Sequence, residues 1–317
     1  MEKNSRIFVA GSETFIGSGI VRALDKHGYR NQAGRAGAAP NLRDAGKVDA
    51  FFRAERPEYV FHATGEISGI GGNLRAPADL MLDNLVVNTN IIASAHRHGT
   101  RKLLYVASGC TYPKLSPQPM RAEHLLTGVL EPSSEYYATA KIAGMKLCQA
   151  YKKQYGANFI SVIPANPFGA GDDFDPENAH VIGALMSKMH QAKMQNGPSV
   201  TLWGTGSPRR DFIFVDDLGD ACVFVMNRYD GLAPFNVGCN TDVAIRDLAV
   251  MIKELVGYAG ELTFDASKPD GMPLKLVDAS ELISMGWRPA TPLREALNAT
   301  YRWFLGTQKE KKQAVQA

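Results

Sequence analysis

Val9–Ile20 reads VAGSETFIGSGI, and its spacing decides how the rest of the chain is read. The run into it, Arg6–Gly11 (RIFVAG), is apolar and β-rich, and the stretch that follows, Ile16–His27, has helical apolar spacing. A glycine turn between a strand and a helix is a place to hold a pyrophosphate. Glycines let the backbone approach the anion, and the helix N-terminus presents free N–H groups. Gly11 and Gly17 occupy the outer places of a Gly-x-x-Gly-x-x-Gly loop, but the middle place holds Thr14, preceded by Glu13. The loop predicts the start of a dinucleotide-binding βαβ unit. It also raises the question of what a carboxylate and a β-branched residue do at its centre.

Working outward, Tyr59–Gly65 (YVFHATG), Lys102–Gly109 (KLLYVASG) and Phe159–Pro164 (FISVIP) are further short apolar runs, each suited to a strand buried on both faces. Helical stretches such as Leu85–His98 separate them. The first half therefore predicts an α/β fold, a Rossmann-type doubly wound parallel sheet with right-handed crossovers. Gly28–Asp44 must contain the second strand, yet it lacks β-branched residues, so a short or irregular strand is expected there. Past Pro164 the alternation stops. A Gly- and Asp-rich segment, NPFGAGDDFDPENAH, leads to a helix-like run over Val181–Gln195 and into a smaller C-terminal substrate-binding region. RRDFIFVDDLGDACVFVM reads as a strand and then a helix opening at Asp216 or Asp217, whose carboxylates suit N-capping better than a metal. Ile245–Val256 and Leu293–Phe304 are amphipathic helices. The expected division is 1–169 and 208–240 for the dinucleotide domain, and 170–207 and 241–317 for the substrate domain.

The 317 residues, 45% of them apolar, suffice for a full core, and a net charge of +3 is too mild for a nucleic-acid partner. Four widely spaced cysteines form no CxxC pair, so neither a zinc site nor a disulfide framework is expected, and a reducing compartment suits them. No apolar leader or membrane-spanning run is evident, and a cytoplasmic chain is expected.

Tyr137 and Lys141 lie four apart in SEYYATAKIAGMKLC and project from one helical face. An ammonium beside a phenol favours phenolate and draws its pKa down from about 10, which suits a general acid for a carbonyl oxygen. Taken alone the pair is equally a surface-helix pattern. Ser108 adds weight, because it stands where KLLYVAS runs out and ligands of open α/β sheets gather at strand carboxyl ends. Ser, Tyr and Lys in this order behind a βαβ unit make the short-chain dehydrogenase/reductase arrangement.

The stretches GCTYPKLSPQPM, EYYATAKIAGMKLCQAYKKQYGANFISVIPANPFGAGDDFDPENAHVI, TLWGTGSPRRDFIFVDDL and DASKPDGMPLKL narrow this further. Together they resemble the GDP-L-fucose synthase family of the extended short-chain reductases, from about Arg6 to Leu305. The resemblance implies an NADP-dependent epimerase-reductase that acts on a GDP-4-keto-6-deoxyhexose, inverting C3 and C5 and adding hydride at C4. It implies Ser108, Tyr137 and Lys141 for the carbonyl chemistry, with Cys110 and His180 as the acid/base pair. Taken singly, Cys110 reads as a small buried residue and His180 as an exposed helix-start residue; their joint occurrence at the family's places reverses that. The cofactor-binding set implied is Gly11, Ser12, Glu13, Thr14, Phe15, Ile16, Gly17, Arg35, Asn41, Leu42, Ala63, Lys141, Pro164, Asn166 and His180. The GDP-sugar set is Asn166, Lys188, Trp203, Arg210 and Lys275; for Lys188 a solvated helix face is the alternative. A homodimer is implied through Leu85–His98 and Tyr137–Tyr155, with Ile91, Ile92, Ile142, Met145 and Leu147 available for apolar contacts.

The chain departs from the family's pattern at Glu13 and Thr14, at Glu66, and at Leu274 before Lys275. These changes leave NAD open beside NADP as cofactor. They also leave two other functions open: a C4 reductase or epimerase of another GDP-sugar such as a deoxyheptose, and a non-catalytic nucleotide-sugar binder.

Overall fold

The computed structural model describes residues 1–35, 37–65, 70–175, 179–268 and 270–316. Glu66, with the rest of residues 66–69, lies outside that set. Strands β1 (Ile7–Ala10), β2 (Gln32–Ala33), β3 (Tyr59–His62), β4 (Lys102–Val106), β5 (Asn158–Pro164) and β10 (Phe235–Val237) form one parallel sheet in the order β2, β1, β3, β4, β5, β10. The order reverses at β1, which opens a crevice at the carboxyl ends of β1 and β3. All four residues of β1 are buried, as a strand covered on both faces requires. Only two residues of β2 pair with β1, in keeping with the absence of β-branched residues there.

Helix α1 (Phe15–Lys26) packs on α7 (Val215–Arg228), while α2 (Ala45–Glu55), α4 (Pro77–Arg97) and α5 (Glu135–Tyr155) pack side by side. The α1–α7 contact requires glycine on both helices. A Cβ on Gly19 would lie 2.5 Å from the Val215 carbonyl oxygen, and one on Gly219 would collide with the Gly19 carbonyl oxygen. The acidic pair at the start of α7 is not its cap. The helix begins at Val215, Asp216 pairs with Arg22, and the Asp217 carboxylate accepts from the backbone of Ala290 and Thr291.

A second core gathers Phe168, Met186, Met189, Leu248, Ile252 and Leu297. It is framed by α6 (Val181–Met194), α8 (Ile245–Val256) and α10 (Leu293–Gln316). Its strands are short: β6 (Asn166–Phe168) pairs with β9 (Phe212–Phe214), and β7 (Ser199–Trp203) with β12 (Glu261–Asp265). Strand β8 (Arg209–Arg210) lies between β11 (Val243–Ala244) and β13 (Leu274–Lys275). Val277, and Leu282 on the short helix α9 (Ser280–Ser284), return to the core of the large sheet. A further short helix, α3 (Ile70–Arg75), precedes α4.

Ile91, Ile92 and Met145, read from sequence as interface residues, are buried in the chain's own core. Ile142 and Leu147 pack partly against it. The apolar face of α4 and α5 is thus consumed by the sheet beneath. Among the described residues no helix is long and apolar enough to cross a membrane, and no cluster of His, Cys, Asp or Glu has the make-up of a metal site.

Candidate active site

Three catalytic candidates meet at the carboxyl end of β4. Ser108 follows the strand in extended conformation and caps a single helical turn, Gly109–Thr111, its hydroxyl accepting from the Cys110 N–H at 3.2 Å. The first two turns of α5 bring Tyr137 and Lys141, both buried, with the Lys141 Nζ 5.8 Å from the Tyr137 ring centroid. Lys141 donates to the carbonyls of Thr64 at 3.2 Å and Val106 at 3.4 Å, which fixes its head between the ends of β3 and β4. The helix sits this low because Gly144 has no side chain. A Cβ there would stand 2.5 Å from Cζ of Tyr105.

Burial dominates the ionisation of this pair. It pushes the Tyr137 phenol above its ordinary value, Cys110 adds to the rise, and the Ser108 hydrogen bond opposes it. Burial also lowers Lys141 to about 8. The sequence pattern suggested that the lysine would draw the tyrosine down; in the folded chain loss of hydration sets the direction instead. Tyr137 is therefore a neutral phenol with a proton to give.

Cys110 sits on the turn behind Ser108, and its Sγ lies 3.7 Å from the Nζ of Lys275. Burial would raise this thiol, but Lys275, the hydroxyls of Ser108 and Ser134, and His180 outweigh it, so the thiol lies below its ordinary value. His180 is the residue before α6, with its Nδ1 3.6 Å from the buried carboxylate of Asp172. The close contact with Asp172 raises the imidazole despite burial, and the charge of Cys110 adds to the rise. An acidified thiol and a more basic imidazole thus act on one another across the same cleft. The loop carrying His180 is short of room: a Cβ on Gly183 would collide with the Asp173 carbonyl oxygen, so α6 begins tight against the Asp172 segment.

At the other end of the crevice, Gly11 has φ +86°, and a Cβ there would lie 2.8 Å from Cβ of Thr64. A Cβ on Gly17 would collide with the Gly11 carbonyl oxygen. Thr14 is the N-cap of α1, its hydroxyl accepting from the Gly17 N–H at 3.2 Å and lying 2.7 Å from the Gly11 carbonyl oxygen and 3.1 Å from that of Ala63. The N–H groups of Phe15 and Ile16 remain in the first turn for an anion. Ser12 is half-buried in the turn, and Glu13 is exposed, its side chain outside the cradle's packed wall. The loop fits a pyrophosphate. Beyond β2 the chain carries Gly34 and Arg35 and no carboxylate, the pattern that accepts a 2′-phosphate in place of a free ribose hydroxyl. Arg35 is held by Asp25 through two hydrogen bonds of 3.1 Å. Asn41 turns its side chain onto the Arg43 N–H, and the Leu42 carbonyl accepts from Asn90, so both serve the wall of the loop after β2.

The remaining candidates line the route into the second core. Pro164 ends β5 beside Gly109, and Asn166 donates its amide to the Asp211 carbonyl at 2.7 Å. Lys188 is half-buried on α6. Trp203 is 70% exposed at the end of β7, with the Lys268 ammonium 5.8 Å from its ring. Arg210 donates to the carbonyls of Arg209 and Met272. Lys275 pairs with Arg210 across β13 and β8, but its head goes to Cys110. Three partners were not read from sequence: Asp172 behind His180, Ser134 beside Cys110, and Lys275 in this place. The carboxylates of GDDFD were visible, but not which of them faces the histidine.

The profile of the NAD dependent epimerase/dehydratase family matches residues 7–238. The chain belongs to this family. Among its members the chain is 48% identical to GDP-L-fucose synthase 1 of Arabidopsis thaliana over 304 residues, covering 96% of this chain and 94% of that one. A GDP-6-OMe-4-keto-L-xylo-heptose reductase from C. jejuni superposes with a TM-score of 0.89 at 31% identity, over 97% of this chain and 99% of that one. A GDP-L-fucose synthetase from Naegleria fowleri, solved bound to NADP, superposes with a TM-score of 0.88 at 27% identity, over 98% and 96% of the two chains.

Proposed function

We propose that this epimerase-family chain is an NADP-dependent 3,5-epimerase and 4-reductase that converts GDP-4-keto-6-deoxymannose to GDP-L-fucose. The observation that carries the reading is the meeting of two sets of groups. Ser108, Tyr137 and Lys141 suit work on a carbonyl oxygen, and a lowered thiol and a raised imidazole stand beside them. A 4-keto sugar has acidic protons at C3 and C5, because removing either gives an enolate spread onto O4. Ser108 and Tyr137 hold O4 by hydrogen bonds, which stabilises the enolate. The Cys110 thiolate takes the ring proton, and the His180 imidazolium returns one to the opposite face of the same carbon. Exchange with water resets the pair for the second centre.

Gly11–Gly17, the N–H groups of Phe15 and Ile16, Arg35 and Lys141 would hold the cofactor. When bound it supplies the hydride for C4. Tyr137 gives its proton to O4 as that carbon is reduced, and the ammonium of Lys141 limits the charge left on the phenol. Asn166, Lys188, Trp203 and Arg210 are assigned to the GDP-sugar on the second-core side of the cleft. A cytoplasmic homodimer belongs to the same reading, with Leu82 on α4 and Tyr136 and Tyr155 on α5 as the exposed apolar side chains.

Turnover with NADPH in deuterated water, followed by NMR of the product, tests the chemistry. The expected product is GDP-L-fucose with deuterium at both C3 and C5, and C110S loses the exchange. Reduction without deuterium at either carbon would replace the reading with a simple C4 reductase. Binding of the GDP-sugar with no binding of NADPH or NADH would leave only a nucleotide-sugar binder.

A further inference from the structure

Lys275 reaches Cys110 from 165 residues away, and its backbone is tightly held. The Lys275 carbonyl accepts from the Asp211 N–H at 3.2 Å, the next N–H donates to Gln118 Oε1 at 2.9 Å, and the Leu276 carbonyl accepts from the Met120 N–H at 2.7 Å. Residues 118–120 continue the segment that begins with the Cys110 turn. The strand that carries the ammonium is therefore bonded to the segment that carries the thiol. The side chain packs against Gly109, where a Cβ would lie 3.4 Å from Cε of Lys275, an ordinary contact. Among the described residues Lys275 makes no ion pair with a carboxylate, so its charge is not spent elsewhere. The other groups facing the thiol are the hydroxyls of Ser108 and Ser134, the phenol of Tyr137 and the imidazole of His180, with Asp172 behind it.

We propose that Lys275 is the positioning residue that keeps Cys110 in its thiolate form as the epimerisation base, through the Nζ–Sγ contact. The proposal rests on the epimerase-reductase reading above. The physical reason is general: a cation within about 4–6 Å stabilises a thiolate against its thiol, and the thiolate is the reactive form. The pattern Pro-Leu-Lys in Gly271–Leu276 leaves this lysine in place. A merely diphosphate-binding lysine would affect substrate affinity and leave the thiol alone.

The test is the pH dependence of iodoacetamide alkylation of Cys110 in the full-length protein, with C110S supplying the background of the other three cysteines. In K275M and K275Q the midpoint should rise by about one pH unit or more, a tenfold shift of the thiol–thiolate equilibrium. Deuterium exchange at C3 and C5 should fall with the thiolate fraction, and K275R should keep both near wild type. An unchanged midpoint in K275Q, with only the KM for GDP-sugar raised, would overturn the proposal. The alkylation needs no substrate. Absence of exchange in the wild-type protein, with the midpoint still lysine-dependent, would therefore sink the epimerase reading and not the contact.

Discussion

Gly144→Ala is the perturbation that tests how the fold sets the height of the catalytic helix. Gly144 lies three residues after Lys141 and seven after Tyr137 on α5, so all three share the face that meets the sheet. The added Cβ would stand 2.5 Å from Cζ, 2.6 Å from Oη and 2.9 Å from Cε1 of Tyr105. Carbon atoms pack at about 3.5–4.0 Å, so the helix or the ring must give by about 1 Å. The ring is fully buried on β4 and has little room to swing. Overpacking costs about 1–3 kcal/mol, and alanine's better helix propensity returns about 1, so the net loss of stability is roughly 0–2 kcal/mol. A displacement of about 1 Å at reacting groups costs on the order of 10²-fold in rate. We therefore expect kcat for NADPH oxidation to fall about a hundredfold while the melting temperature drops by no more than a few degrees. Gly306→Ala is the control, because nothing stands within 4 Å of its Cβ place on α10. That variant should gain about 1 kcal/mol and keep wild-type kcat. Wild-type turnover in Gly144→Ala, or an equal loss in Gly306→Ala, would refute the argument.

Three further outcomes are expected. In Asp172→Asn the imidazole of His180 loses the carboxylate charge that raises it. Its acid form then disappears at lower pH, so the basic limb of the C3/C5 exchange profile moves toward acid, while the acidic limb set by the thiol stays; an unmoved basic limb contradicts the pairing. Thr14→Ala removes the α1 cap and should cost about 1 kcal/mol in urea unfolding, against a few tenths for Thr14→Gly. Arg35→Ala should weaken NADPH binding by about tenfold or more in calorimetric titration, the worth of a charged hydrogen bond, and leave NADH unchanged. Equal losses for the two cofactors would remove Arg35 from the 2′-phosphate.

Elements buried on both faces were legible because burial leaves a continuous apolar run. β1, β3, β4 and β5 are such cases. Strand β10 was not, since three residues paired to a neighbour more than seventy positions earlier leave no periodic signal. The same holds for β13, two residues long, whose pairing with β8 carries Lys275 to the thiol. Ser108, Tyr137 and Lys141 were readable because a helix fixes the 137–141 spacing and a strand end fixes the serine. Asp172 was not, because loop geometry decides which of Asp172, Asp173 and Asp175 turns toward His180. Periodicity marked the apolar faces of α4 and α5 but not their partner, and for Ile91, Ile92 and Met145 that partner is the chain's own sheet.

The loop at Val9–Ile20 shows why a missing glycine is tolerated at one place and not at its neighbours. At Gly11 and Gly17 any side chain meets backbone or buried atoms, so those positions are fixed by space. Position 14 is fixed by hydrogen bonding instead. The Thr14 hydroxyl, within reach of the carbonyls that end β1 and follow β3 and accepting from the helix N–H at Gly17, ties the two strand ends to the start of α1. A β-branched residue at an N-cap has extended backbone, φ −74° and ψ 165°, which threonine adopts without strain. The exchange has one consequence for binding. With the Gly17 N–H occupied, a pyrophosphate bound as proposed would rest on two first-turn donors and the helix dipole, close to the charge of Glu13. On the proposed reading, cofactor selectivity then leans on the far end, where Arg35 and the lack of a carboxylate directly after β2 would favour a phosphate.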